Sequence, residues 1–259
     1  MFGFLQNRRR KRLLAQPVPD TWRALAGRGA PYYGLLGAEE RERLWQRVRV
    51  LLDEKRFEGC GGFVVSEEHR ILIGVHAALL ILNNPMDYYP ALKTILVYPG
   101  TFLAEVSEHD GAGVVHEGEE ARLGESWGRG VLTLSWGDVQ RDMRAFNGHN
   151  VILHEFAHQL DQADGEADGW PGALDPALNE RWRAVMNREF TRLGRAVDYG
   201  GYALLPGYGA ENPAEFFACS TEVFFEQPRL MQRKHAELYE LLCAFYAQDP
   251  VTRFRRVTG

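Results

Sequence analysis

Charged residues alternate with Leu44, Val48, Leu51 and Leu52 at three- and four-residue intervals, which predicts an amphipathic helix over 38–53. The denser apolar run of 67–83 predicts a second helix with little exposed face. Pro85 and Pro90 close this helical N-terminal region, which spans 20–92. From Lys93 the pattern changes. Residues 93–98 are rich in strand formers, and 102–106, 113–116 and 131–136 read as short strands between glycine-rich turns. A small, mostly antiparallel sheet is the simplest arrangement for them. Helical spacing returns after Asn150, first in the segment between Asn150 and Gly165 and then over 176–193, 212–226 and 229–247. Strands followed by helices predict an α+β domain over 93–259.

Composition narrows the choice of function. A chain of 259 residues can bury a sizeable core. Its net charge of −5 argues against general nucleic-acid binding, which needs a basic face. The exception is Arg8-Arg9-Arg10-Lys11-Arg12 within residues 1–19, read as a flexible, solvated basic tail. A secretory signal would place charges before a longer apolar run than Leu13-Leu14-Ala15 supplies. Cys60, Cys219 and Cys243 lack metal spacing and suit reduced thiols in the cytoplasm. The longest apolar stretch, 71–82, is well short of the roughly twenty residues that cross a membrane.

The chemistry concentrates in His154-Glu155-Phe156-Ala157-His158. On a helix, two histidines four apart point the same way and can share one Zn²⁺, with the glutamate beside the metal's open position. Asn150 supplies an N-cap and Gly165 a stop. Val151, Ile152, Leu153, Phe156, Ala157 and Leu160 are too apolar for an exposed helix. Buried histidines and a glutamate need partners, and a cation is one; backbone hydrogen bonds are the plainer alternative.

A catalytic zinc usually has three protein ligands. Asp164 occupies the third-ligand position of one HExxH subclass, but Asp161 stands where that subclass has the glycine that turns the chain. Glu215 is the other candidate, in Asn212-Pro213-Ala214-Glu215, a sequence that also reads as a capping box. Glu222, two turns later on the same face, is a ligand or an acceptor behind one, whereas Glu211 and Glu226 read as water-facing. Asp161 suits a carboxylate that orients an imidazole. His116 and His149 read as structural or exposed.

The segment 154–161, with Tyr208 seven residues before Glu215, resembles the Mlc titration factor A family, zinc peptidases related to the anthrax lethal factor catalytic domain. Glu54-Lys55-Arg56-Phe57, Val97-Tyr98-Pro99, Gly124-Glu125-Ser126-Trp127, Leu134-Ser135-Trp136-Gly137-Asp138 and Phe245-Tyr246-Ala247-Gln248-Asp249-Pro250 extend the resemblance from about residue 20 onward. It implies a zincin-like, gluzincin-type metallopeptidase with one Zn²⁺ on His154, His158 and Glu215, Glu155 as base, and Tyr208 as a donor to the developing oxyanion. The substrate is then a peptide or protein, extended along an edge strand for which 131–136 is the candidate. Aminopeptidase and internal cleavage both remain open. The resemblance also carries a rival: a protein that sequesters a transcription repressor of the Mlc type, linked to control of glucose uptake by the phosphotransferase system, with peptidase activity secondary.

Overall fold

The computed structural model describes residues 2–83, 88–100, 130–172 and 176–258. Four helices come first: α1 (Phe2–Leu14), α2 (Asp20–Gly29), α3 (Pro31–Leu35) and α4 (Ala38–Glu54). Strand β1 (Arg56–Gly59) then leads to α5 (Glu67–Leu80), whose N-terminus is capped by the Ser66 hydroxyl accepting from the His69 amide at 3.3 Å. Every residue of α5 from Ile71 to Leu80 is buried, as its unbroken apolar run predicts. Strands β2 (Thr94–Tyr98) and β3 (Val131–Ser135) follow. The remainder is helical: α6 (Trp136–Asp142), α7 (Val151–Asp161), α8 (Pro176–Asp198), α9 (Pro213–Glu226), α10 (Pro228–Lys234), α11 (Ala236–Tyr246) and α12 (Pro250–Thr258). Among the described residues, no helix is long and apolar enough to cross a membrane.

The three strands form one sheet in the order β1-β2-β3, parallel throughout. This corrects the antiparallel expectation. Parallel neighbours need a long crossover, and α5 supplies one between β1 and β2. Strand β1 has no apolar alternation to announce it, because only Phe57 among its residues is partly shielded. In β2 and β3 alternate residues are buried, so Ile95, Val97, Leu132 and Leu134 put one face of the sheet in the core. Among the described residues β3 pairs on one side only. The strands expected at 102–106 and 113–116 lie outside the described residues.

Two further readings change. The basic N-terminal segment is a helix laid on α4, with Arg9 on Asp53 at 2.7 Å and Arg10 on Glu54 at 2.7 Å. The helix expected over 229–247 is broken at His235, whose Nδ1 lies 2.7 Å from Glu189. That turn caps α10 through the His235 amide and starts α11 through its carbonyl. Contacts also cross position 92: β1 pairs with β2, and Arg253 reaches Glu40 at 2.6 Å.

Helix α7 lies in the middle of this assembly. Ile152, Leu153, Phe156, Ala157 and Leu160 pack into the core, each large side chain contributing on the order of 1.5–3 kcal/mol by leaving water. After α7 a 3-10 turn over Gln162–Asp164 ends at Gly165, whose φ of +102° reverses the chain. The returning loop is clasped at Gly169. Its N–H donates to Asp161 Oδ2 at 2.9 Å, and its carbonyl accepts from Trp182 Nε1 at 2.9 Å. Asp161 therefore holds a loop rather than an imidazole. Gly169 has φ +75°, and a Cβ there would stand 2.3 Å from the Pro213 carbonyl oxygen. Gly169→Ala is expected to destabilise the protein by about 2 kcal/mol or more. Thermal unfolding measures this, and an unchanged Tm would contradict the clasp.

Candidate metal centre

Asn150 starts the site by capping α7, its Oδ1 accepting from the Leu153 amide at 3.1 Å. Asp142 accepts from the Val151 amide at 2.8 Å and satisfies a second free N–H. From that start, helical geometry brings His154 and His158 to one face. Opposite them runs α9, begun by Asn212 as N-cap and Pro213 at its first turn. Glu215, Cys219, Glu222 and Glu226 recur at intervals of four, three and four along α9, and all four are buried.

The two helices meet through these groups. His154 Nε2 is 3.0 Å from Glu215 Oε2, His158 Nε2 is 3.3 Å from Glu215 Oε1, and the two Nε2 atoms are 3.2 Å apart. Glu215 Oε2 makes no directed hydrogen bond despite its burial. The capping-box alternative fails on geometry: Asn212 accepts from the Glu215 amide, but the Glu215 carboxylate points to the histidines. His154, His158 and Glu215 thus form a group that can offer a metal one atom each.

Behind His154, Nδ1 stands 2.8 Å from Glu222 Oε1. A carboxylate only accepts, so Nδ1 carries the proton and Nε2 is left with its lone pair toward Glu215 and His158. The other Glu222 oxygen accepts from the Asn150 amide at 2.6 Å. Cys219 also contacts His154, and His154, Cys219 and Glu222 make a second cluster of ligand-type atoms. Sequence reasoning missed Cys219; its place one turn from Glu215 on the same face was the available signal.

Charge follows this packing. Burial pushes Glu215 up, but the close approach of the His154 and His158 rings outweighs that and holds its carboxyl at about 2. Burial pushes Glu155 up to about 7, a range in which a carboxylate both accepts and returns a proton near neutral pH. Tyr208 sits in the 3-10 turn Gly207–Ala210, with its ring centre 6.3 Å from that of His154. It is 46% exposed. Burial and Glu215 push its phenol up to about 12, so it remains a donor.

Other expectations resolve simply. Asp164 is exposed and accepts from the Glu166 amide, so it stands outside the histidine group. His149 is largely exposed, 3.9 Å from Glu222, and Glu211 is exposed. His116 and Gly124-Glu125-Ser126-Trp127 lie outside the described residues. Glu226 is not water-facing: it is buried and takes hydrogen bonds from the Tyr32 hydroxyl and, at 3.3 Å, from Asn150 Nδ2.

The profile of the family described as glucose-regulated metallo-peptidase M90 matches residues 5–247. An uncharacterized protein of Synechocystis sp. is 39% identical over 94% of this chain and 89% of its own. Mlc titration factor A of Yersinia pestis and that of Yersinia pseudotuberculosis are each 30% identical, over 87% of this chain and 84% of theirs.

Glu226 gives a pH test. Burial raises its carboxyl to about 7, so between its ordinary value and that point the folded state binds the proton that the unfolded state has released. Stability from this group is therefore present at low pH and falls as pH rises through the window from about 4.5 to about 7. In urea unfolding across that window, wild type should lose more stability with rising pH than Glu226→Gln. Parallel curves would contradict the assignment.

Proposed function

The chain belongs to the glucose-regulated metallopeptidase family M90, and from that premise we propose that it is a zinc-dependent peptidase of the HExxH gluzincin type. His154, His158 and Glu215 are the metal ligands, Glu155 the general base and Tyr208 the oxyanion donor. The observation that carries the reading is the convergence of three donor atoms from α7 and α9 at 3.0–3.3 Å from one another. Ligand atoms at 2.0–2.1 Å from a tetrahedral zinc stand roughly 3.3 Å apart, so the donor set fits that ion in type and in spacing. The undirected Glu215 oxygen supports a cation further.

A zinc ion held by these residues would lower the pKa of a bound water toward ~7 and polarise the scissile carbonyl. Glu155 takes the proton from the attacking water and delivers it to the departing amine. The products are a carboxylate and an ammonium, the amine taking one proton by way of Glu155 and the second from the new carboxylic acid, with Glu155 restored. Tyr208 donates a hydrogen bond to the carbonyl oxygen as negative charge develops on it. Glu222 fixes the tautomer and plane of His154. An extended peptide substrate pairs along β3, whose outer edge carries no strand among the described residues. Aminopeptidase action is one form of this chemistry. A cytoplasmic location fits three unbridged cysteines.

A second reading has an observation of its own: relatives at 30% identity are named for titration of Mlc. In that reading the chain captures a transcription repressor of the Mlc type and thereby affects glucose uptake by the phosphotransferase system. Capture requires a surface and not a base, so the two activities separate in one variant.

Two outcomes are expected. Glu215→Gln should lose most of its zinc by metal analysis, while Asn212→Ala should cost about 1 kcal/mol of stability and keep the metal. Full zinc occupancy in Glu215→Gln would remove it from the ligand set. Glu155→Gln should keep zinc while peptide hydrolysis falls by at least ~10². Undiminished turnover would end the mechanism, and retained capture of a repressor by this variant would make the regulatory role independent of cleavage.

A further inference from the structure

Away from the histidines, the end of α8, the loop before Tyr208 and the end of α10 enclose a cavity of about 460 Å³. Its walls include Leu193, Leu205 and Ala203, and its rim carries Arg192, Arg233, Lys234 and Tyr202. A net-negative chain has thus gathered cations around a hollow that has aliphatic side chains in part of its wall.

The cations differ in what they already hold. Arg192 is tied to Glu189 at 3.3 Å and to the Lys234 carbonyl at 3.1 Å, and Glu189 also serves His235. Arg233 is exposed and makes no ion pair among the described residues. The Lys234 ammonium lies 4.6 Å from the centre of the Tyr202 ring and has no carboxylate partner among the described residues. Two positive charges at the rim therefore await an acceptor.

Aromatic surface accompanies them. Tyr199 and Tyr202 are 87% and 86% exposed. With Val197 and Tyr208 they account for four of the five large apolar side chains exposed among the described residues, and Val64 is the fifth. Such a concentration on one short segment is unusual for a surface without a partner. The segment also leads into the metal centre. Leu193 lines the cavity and, with Cys219, flanks Gly209, next to Tyr208, where a Cβ would come within 3.3 Å of Leu193 and 3.2 Å of Cys219.

We propose that the cavity between α8, the 202–205 loop and α10 is a docking site for an acidic segment of a polypeptide, its carboxylates on Arg233 and Lys234 and its apolar side chains on the Leu193–Leu205 floor and the exposed tyrosines. Charge complementarity selects the sign of the partner, and the apolar floor selects a peptide. A nucleic acid would need a basic track along its backbone, which two rim cations do not provide. The site binds whether or not the metal centre hydrolyses peptides, so its test does not depend on turnover.

Fluorescence anisotropy with the full-length protein is the test, using a fluorescein-labelled peptide of interspersed glutamates and leucines and its glutamine counterpart. The glutamate peptide should bind at least about tenfold tighter, and added NaCl should weaken it. R233E/K234E should abolish that preference, with zinc content and circular dichroism unchanged. If the reversed charges impair folding, R233Q/K234Q asks the same question and should lose the same preference. Equal affinity for the two peptides, or unaltered binding by the variant, would overturn the proposal. Displacement of the peptide by a short RNA but not by unlabelled glutamate peptide would do so as well.

Discussion

The structure depends on one pairing, the seating of helix α7 against helix α9 through buried charge. Apolar helices could pack at many angles and registers, since dispersion and burial are not directional. Buried carboxylates and imidazoles allow only a few, because each unpaired polar atom costs on the order of 1–3 kcal/mol. Glu222 spans the junction, with one oxygen on the His154 ring and the other on the Asn150 backbone. It thereby fixes both the start of α7 and the direction of its first histidine. Asn150 faces both ways too, capping α7 with its carbonyl oxygen and reaching Tyr32 and Glu226 with its amide.

Local signals announced much of this. The period of the apolar residues located α4, α5, α7 and α9 closely, and the caps at Asn150 and Asn212 act where the sequence places them. The His154, Glu155, His158 spacing could be read because a helix makes sequence distance and spatial direction equivalent. What sequence could not supply was whatever depends on distant contact. The direction of β2 beside β1 is set by the crossover through α5, not by the strands' own residues. Glu226 resembles an exposed helix-end acid until Tyr32, from far away in the chain, covers it. Asp161 likewise found its partner in a returning loop rather than in the neighbouring ring.

The N-terminal helices matter to the centre for the same reason. Tyr32 belongs to α3, yet its hydroxyl meets Glu226 and Asn150 at the base of the α7–α9 junction. Helix α5, buried along most of its length, backs α7 from the other side. A segment that looks like an accessory by sequence order is, in space, part of the support for the site.

The acidic stripe of α9 has an evolutionary consequence. Glu215, Cys219, Glu222 and Glu226 are aligned only because whole helical turns separate them, and each residue added or removed swings everything beyond it by about 100°. One inserted residue after Glu215 would leave the first acid at the histidines and turn the others into apolar packing. Length variation in descendants of this chain is therefore excluded from α9 and directed to the loop before it, where Tyr199 and Tyr202 stand in solvent. Changes in that loop would alter what docks against it while the α7–α9 junction stays as it is.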